Sequence, residues 1–544
     1  MMIEDKSCSE QSIMDTLVDD KQPTDTVKTL ENDVSNDEVW EIIDKEDDED
    51  LRNLSAGVYA FILLIIGIPL WWRMTEVQRH PLPYAEISQL GTVDVVISTD
   101  IFVYTKNPFV TDRIIEQMYT TFNSTMFKIN AQPSTLINSD RSLNELEMVI
   151  TPLGSLQLIE TNSVDDIIVG IGRNIYFPPN TDIELLMDSL LRLLQTDALS
   201  DSMISMLNPG NHSDDQQVVT DRQRRVRPSS DYNVLLTVVN PEPEKLHVDW
   251  KPEIPLNRYL QPLLDQLKLI SNFSVQSQWL YLIDLVQKPP KLNTTFVLDK
   301  NHAQYIITPL EKKLGSGVSR NPCIHFVVYV TPCSYIPLYF HENDQLTTAM
   351  MSARWGGVQF LNANEISCNE SVSFIPDDLS IMTPIITQFH SLIGVPNMSK
   401  HMSLIPLKSS TLRQWQLDSM YRLKIIEQYT NTRITLTSLS RLLGEISNIV
   451  IIKEVGKAVT ESVEAATKVL HCLERGQLEE ALEYSKIAFE TSEFAFTHPS
   501  LLALLYFPDD QKYAVYIPLF LPVMIPVLMS LKGVRKWIYF KYNI

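Results

Sequence analysis

Two runs without a single charged side chain, one near each end, constrain this chain more than any other feature. Residues 54–72 (LSAGVYAFILLIIGIPLWW) and 513–531 (YAVYIPLFLPVMIPVLMSL) each hold 19 residues free of Asp, Glu, Lys and Arg. At about 1.5 Å rise per residue, each run reaches across a hydrocarbon core of about 30 Å as a helix. Helix is also the conformation that satisfies every backbone donor and acceptor within one crossing segment. Trp71 and Trp72 close the first run, where amphipathic rings favour the membrane interface. That run lies too far into the chain, and lacks a small-residue cleavage site, to be an ordinary signal peptide. It is expected to act as an uncleaved anchor. The competing reading, a buried core helix, rarely runs this long without a charge.

Flanking charge sets the expected orientation. Lys532, Arg535, Lys536 and Lys541 follow the second run, and only Lys512 lies within 20 residues before it. The positive-inside rule therefore puts the C-terminus in the cytosol. The first run is balanced, with Lys45 and Arg52 before it and Arg73 and Arg79 after it. Two crossings then return the N-terminus to the cytosol as well, and residues 73–512 face a lumen. Six N-x-S/T sequons fall there, at Asn123, Asn211, Asn272, Asn293, Asn369 and Asn397. The stretch is rich in Asn, so their number is weak support by itself. Arg52, at the cytosolic edge, could touch a phospholipid headgroup or simply snorkel. Pro518, Pro522 and Pro526 recur every fourth residue on one helical face, each removing a backbone hydrogen bond. They mark either a bent helix packed among other spans or lining a lipid groove, or merely tolerated prolines.

Charge also narrows what the chain can bind. A net charge of −22 argues against nucleic acid, which needs a basic face to displace counterions. Residues 1–53 carry 18 Asp/Glu against 5 Lys/Arg. The run at 44–50 (DKEDDED) repels itself and buries nothing apolar, so this acidic cytosolic tail is expected to be disordered. It serves as a docking tail or a solvated spacer.

Between the anchors, strand-like and helix-like patterns alternate. Strands are expected at 93–98, 146–150, 166–171, 232–239, 275–282, 324–330 and 356–361, the last a hairpin partner or neighbour of the one before it. Helices are expected at 111–127, 182–194 and 257–269. A polar, aperiodic stretch at 208–230 separates what could be two related halves. Beyond it, helical periodicity takes over at 411–429, 435–450, 457–475 and 478–494, with Gly476 as a stop between the last two. The expected architecture is an α/β (α+β) luminal domain over 73–408 and a luminal helical segment over 409–505. Two single transmembrane helices flank them, at 54–72 and 513–531, and a basic cytosolic tail follows at 532–544.

Catalytic chemistry is hard to find. There is no H-E-x-x-H, paired C-x-x-C, G-x-S-x-G or Walker A loop, and the 10 histidines lack metal-ligand spacing. Cys323, Cys333, Cys368 and Cys472 lie in the luminal stretch, allowing three complete pairings in an oxidising compartment. If 324–330 is a straight strand, Cys323 and Cys333 stand about 33 Å apart, far beyond disulfide reach. Cys323 with Cys368, or free thiols, remain open. Cys323 with His325 is the nearest thing to a nucleophile–base pair, yet a strand makes both structural. A luminal cysteine hydrolase using Cys323 or Cys368, and a cargo receptor docking through the acidic tail, stand as rival classes.

Several segments carry a resemblance. Residues 67–76 (GIPLWWRMTE) and 81–84 (PLPY) resemble the first anchor of the PIG-S family, subunits of the GPI transamidase of the endoplasmic reticulum. Residues 506–512 (YFPDDQK) running into 517–522 (IPLFLP) resemble its second. Between them, 240–243 (NPEP), 272–275 (NFSV), 352–357 (SARWGG), 436–439 (LTSL) and 446–451 (ISNIVI) are similar in order. The resemblance implies a non-catalytic scaffold subunit, without cofactor, of the complex that joins a GPI lipid to luminal proproteins. The partners it implies are the catalytic PIG-K, which holds the Cys-His dyad, PIG-T, PIG-U, the GPI-anchor attachment protein and membrane lipids. It favours Asn272 and Asn369 as glycan sites.

Overall fold

The computed structural model describes residues 51–542 apart from 76–78, 123, 125, 135–142, 148–150, 208–223, 293, 300–303, 315–318, 343–344, 365–367, 369–372, 398–402, 447–448 and 504–508. The acidic tail lies outside the described residues. Contacts divide the chain into a main unit, Val77–Tyr506, and an end unit of Met1–Glu76 with Phe507–Ile544.

The first half of the main unit runs β1 (Ile97–Tyr104), α1 (Pro108–Thr121), β2 (Phe127–Pro133), β3 (Leu156–Glu160), β4 (Ile168–Val169), β5 (Asn174–Phe177) and α2 (Ile183–Thr196). The second half begins with β6 (Asp231–Asn240), a helix α3 at 253–266 and β7 (Asn272–Tyr281). A small sheet follows with β8 (Lys291–Leu292) and β9 (Thr295–Asp299), then β10 (Cys323–Val330), β11 (Leu338–Glu342) and β12 (Gln345–Thr347). The half closes with β13 (Ala349–Ser352), β14 (Gly356–Leu361) and α4 (Asp378–Ile393).

Both large sheets follow one connection scheme. The first is ordered β15-β4-β5-β3-β1-β2, where β15 is Ser403–Leu404, and the second is β13-β14-β10-β6-β7. In each, a central strand (β1 or β6) pairs in parallel with the strand after its helix on one side and with a later strand (β3 or β10) on the other. A further parallel strand (β5 or β14) follows, and the strand just before it in sequence pairs with it antiparallel. Parallel strands covered on both faces need continuous apolar runs, and β6 and β10 are buried along nearly their whole length. The helices start where side chains satisfy free amides: Asn107 accepts from the Phe109 amide at 3.1 Å, with Pro108 as the first helical residue. Asp377 accepts from the Ser380 amide at 2.9 Å to open α4, which stops at Gly394, φ +83°.

Several expectations need correction. The strand expected at 93–98 starts only at Ile97, because its partner β2 begins opposite that residue. In place of the strand expected at 146–150, Leu143–Leu146 makes a helical turn; 148–150 lie outside the described residues. For Gly356–Leu361 the second of the two expected placements holds: it is a parallel neighbour of β10, and its hairpin partner is β13. The two helices expected at 411–429 and 435–450 are one helix, α5 (Gln414–Glu445). No break occurs because Thr432 is fully buried in line with Tyr429 and Leu436, so the polar step keeps the helical face continuous.

After α5 come α6 (Lys453–Glu474) and α7 (Leu478–Thr497), joined at Gly476, φ +72°. Small residues line their contact: Ala465, Ala481, Ala488 and Ser485 are buried, and the Ser462 hydroxyl donates to the Ala488 carbonyl at 2.8 Å. One apolar cluster runs through both large sheets and this helical segment, from Ile101 and Leu158 through Val234 and Phe326 to Tyr429 and Val459.

In the end unit, the helices Leu51–Arg73 and Ala514–Tyr539 are long and apolar enough to cross a membrane. They pack antiparallel. Trp71, late in the first, meets Tyr516 and Phe520, early in the second, at ring distances of 5.6 and 5.1 Å. At the other end, Gly57 leaves room for Val534, whose Cγ1 lies 3.4 Å from where a Cβ would stand.

Candidate functional site

Helix α5 crosses both halves, and the groups it presents to each define the candidate site. Toward the first half it turns Asp418 and Arg422, one turn apart. The Arg173 guanidinium donates to both Asp418 oxygens, at 2.8 Å from Nη2 to Oδ1, and through Nη1 to Gln414 Oε1 at 3.0 Å. The Arg422 guanidinium donates to Asp197, just past α2, and to the Gly154 carbonyl. The Gly154 amide returns a bond to Asp418 at 3.1 Å. All four charged side chains are at least nine-tenths buried. Desolvating them is expensive, and they hold because each meets an opposite charge, Arg173 in forked geometry on Asp418 and Arg422 through one bond to Asp197. Beside them, Glu147 accepts from the Ile171 and Gly172 amides at 3.0 and 2.8 Å and fixes the turn before β5. This network escaped the sequence reading. Asp418 and Arg422, four apart on an otherwise apolar helix face, are the signal that could have found it.

Toward the second half the same helix meets a cavity of about 490 Å³. Apolar side chains such as Ile270, Phe273 and Met420 line it, together with Arg225, Arg227, Arg354, Lys424 and Glu427. A cavity of about 360 Å³ adjoins it through Lys424, Glu427 and Asn431. Burial pulls the Lys424 ammonium below its ordinary pKa; Glu427 acts against this and Lys486 adds to it. Two histidines of this half are also shifted down by burial: His325, stacked on Trp355, and His390, pushed to about 4.

The anticipated site residues do not converge on this junction. Asn272 is exposed at the start of β7, its amide donating to Asp231 Oδ1 at 3.1 Å, and Asn397 is exposed after α4. Asn123, Asn211, Asn293 and Asn369 lie outside the described residues. Arg52 is exposed in the first turn of the N-terminal apolar helix, its carbonyl accepting from Ser55. Pro518, Pro522 and Pro526 sit inside one continuous helix, Asp509–Tyr542, and are exposed. At 100° per residue their face points away from the one that carries Tyr516, Phe520 and Val534 onto the first helix.

The cysteines correct the pairing left open between Cys323 and Cys368. Cys368 is bonded to Cys333, with Cα atoms 5.8 Å apart. Strand β10 separates Cys323 at its start from Cys333 in the turn after its end, and only the latter comes within reach of Cys368. Cys323 is a free thiol whose sulfur contacts the Asn321 carbonyl, while His325 Nδ1 is buried without a hydrogen-bond partner. The thiol–imidazole bond that nucleophilic attack requires is not formed here. Among the described residues no group of three or more His, Cys, Asp or Glu gathers as a metal site.

Known proteins resemble the chain along nearly its whole length. The family described as Phosphatidylinositol-glycan biosynthesis class S protein (PIG-S) matches residues 58–541. The GPI-anchor transamidase component PIGS of Mus musculus is 32% identical, over 88% of this chain and 94% of its own. The GPI transamidase component PIG-S homolog of Schizosaccharomyces pombe is 24% identical over 86% of this chain and 81% of its own. For the GPI transamidase component GPI17 of Saccharomyces cerevisiae the figures are 22%, 89% and 92%. Because the family match extends from inside the first apolar helix, across both sheets and α5, to the last turns of the second apolar helix, the chain belongs to the PIG-S family.

Proposed function

We propose that this protein is a non-catalytic scaffold subunit of the GPI transamidase complex in the endoplasmic reticulum membrane. The observation that carries the reading is its near full-length similarity to proteins named as components of that transamidase. In this reading both apolar helices span the membrane, both termini are cytosolic and the main unit is luminal. Antiparallel packing of the two helices supports that arrangement, since it brings the chain ends to the same end of the pair. The exposed proline face of the second helix, with carbonyls freed at 514, 518 and 522, then meets neighbouring spans or lipid. Arg52 lies at the headgroup level of the cytosolic leaflet. The main unit engages the catalytic subunit, PIG-K, and its companions PIG-T, PIG-U and the GPI-anchor attachment protein, and helps admit the proprotein. Asn272 and Asn369 carry glycans.

Purification of the tagged protein in mild detergent tests the reading: a stable complex with a protease-like subunit is expected. Recovery as a monomer from cells competent in GPI anchoring would overturn it. In the same preparation, Asn272→Gln and Asn369→Gln should each remove one glycosidase-sensitive mobility step.

A further inference from the structure

Lys424 stands out among the buried charges of the main unit. It is 9% exposed, in the first half of α5, and among the described residues its ammonium makes no hydrogen bond or ion pair, with Glu427 the opposite charge that acts on it. Arg422, two residues earlier and more deeply buried, has a carboxylate in Asp197. An ammonium drawn largely out of water onto the wall of a cavity, with one carboxylate acting on it, is costly to hold and calls for further negative charge. Lys424 lines the 490 Å³ cavity. Arg225, Arg227 and Arg354 also line it, and Glu427 is the one carboxylate among the described lining residues. Arg354 is held there at φ +61°, a left-handed conformation rare for arginine, with its amide donating to the Arg224 carbonyl at 3.0 Å. The rest of the wall is largely hydrocarbon, from Leu267, Ile270, Phe273 and Ile434. The volume lies within the range of small-molecule sites, and the mixture of an apolar wall with a few convergent polar groups is typical of them. Among the described lining residues the adjoining 360 Å³ cavity has the opposite balance, with Glu427, Glu479, Glu483 and Glu490 against three lysines, so the positive excess among them belongs to the larger cavity.

We propose that the larger cavity binds a small amphiphilic anion, a phosphate or carboxylate joined to an apolar body, with the Lys424 ammonium as its counter-charge. The anionic group adds to Glu427 the further negative charge that Lys424 calls for, and the arginines add donors in forked geometry. The apolar body covers the hydrocarbon wall. This site goes beyond the scaffold reading and does not depend on it, since it lies wholly within the main unit.

Site-resolved amine labelling provides the test, on the full chain purified in its complex in a non-ionic detergent. Reductive methylation of Lys424 is followed by peptide mass spectrometry, with Lys268 and Lys486 as internal references. Three probes are compared: dihexanoyl phosphatidic acid, inorganic phosphate and dihexanoyl phosphatidylcholine. The phosphatidic acid is expected to slow methylation of Lys424 at least tenfold while leaving the reference lysines within twofold. Inorganic phosphate distinguishes a free ion from an anion on an apolar body and is expected to protect less than threefold. Equal protection by the two would overturn the amphiphile, and protection by the zwitterionic probe alone, or by none, would overturn the anion site. By calorimetry, Lys424→Met is expected to weaken binding of the phosphatidic acid at least tenfold, and Lys424→Arg to keep it within about threefold. Unchanged affinity in Lys424→Met would overturn the assignment of the counter-charge. Should Lys424→Met not assemble, the labelling of the native protein decides alone.

Discussion

In the first half of the main unit, the β1-centred sheet meets α5 through two buried guanidinium–carboxylate pairs. In the second half, the β6-centred sheet follows the same connection scheme but meets the same helix across a cavity lined by Lys424, which makes no ion pair among the described residues. The outer faces differ too. The second sheet carries an additional apolar layer, where Leu235, Val327 and Phe360 pack against Leu298 and Phe340 of the small sheet. Among the described residues the corresponding cluster on the first sheet gathers fewer side chains, around Tyr104, Ile159 and Tyr176. One frame thus supports two different joints. The charged joint fixes the register of α5, because neither arginine can be displaced without stranding a carboxylate in the interior. The apolar joint leaves room, and room is where a ligand fits.

The largest effect should come from breaking the charged joint. Asp418→Ala strands Arg173 and removes the acceptor of the Gly154 amide, and is expected to destabilise the main unit by about 3–5 kcal/mol. Thermal unfolding of the purified complex measures it. The double variant Arg173→Met/Asp418→Leu should recover most of that loss, because a buried pair replaced by hydrocarbon is often neutral. If the double variant is as unstable as the single one, the pair holds the joint by something other than charge balance.

The next largest effect belongs to the second half. Replacing Cys333 and Cys368 by serine frees a loop closed over a separation of 35 residues, with an expected loss of about 3 kcal/mol. Hydrogen exchange should rise around β11–β14 and stay unchanged in β1–β5. A uniform rise would mean that the two halves unfold as one.

Acid should also separate the halves, since the buried downshifted histidines, His325 and His390, both belong to the second. The folded His390 takes a proton only near pH 4, whereas the unfolded chain takes it near 6.5. Between those values the unfolded state binds more protons, so stability is full above about 6.5 and falls as pH falls. About 2 kcal/mol should be lost by pH 5 from this residue. His390→Leu should flatten the acid dependence of the melting temperature; an unchanged slope would remove His390 as its source.

How far these features were legible follows from the physics of each. Strand β10 was legible because a central parallel strand must be apolar on both faces, and 324–330 is apolar almost throughout. Strands β3 and β5 were not, being only 5 and 4 residues long and carrying Gln157 and Asn174, whose buried polar side chains break the pattern. Helix α4 escaped because Pro384 interrupts an otherwise regular apolar stripe of Ile381, Ile385, Phe389 and Leu392. The end of α6 was legible from Gly476 alone. The charged joint could not be read in full, since Arg173 and Asp418 are 245 residues apart and only the fold brings them together. Nothing about a lysine in a helix of mixed composition announces that it will be buried on the wall of a cavity.

The smallest effects compare two glycines in the same left-handed conformation. Gly476 (φ +72°) lies against the first half and Gly394 (φ +83°) closes α4 in the second. An alanine at either position bears the cost of φ, about 1 kcal/mol. At Gly476 the new methyl would stand 3.6 Å from the Ser98 carbonyl oxygen, an ordinary contact, so nothing is added. At Gly394 it would stand 2.4 Å from Cδ of Arg225, a flexible side chain on the cavity wall that must move aside. Both variants should therefore melt only slightly early. Gly394→Ala alone should alter hydrogen exchange at 224–228, where the Val226 amide is bonded to the Leu392 carbonyl at 2.9 Å. Equal exchange in the two variants would show that Arg225 yields without disturbing its own segment, and that the second joint is softer still than the cavity implies.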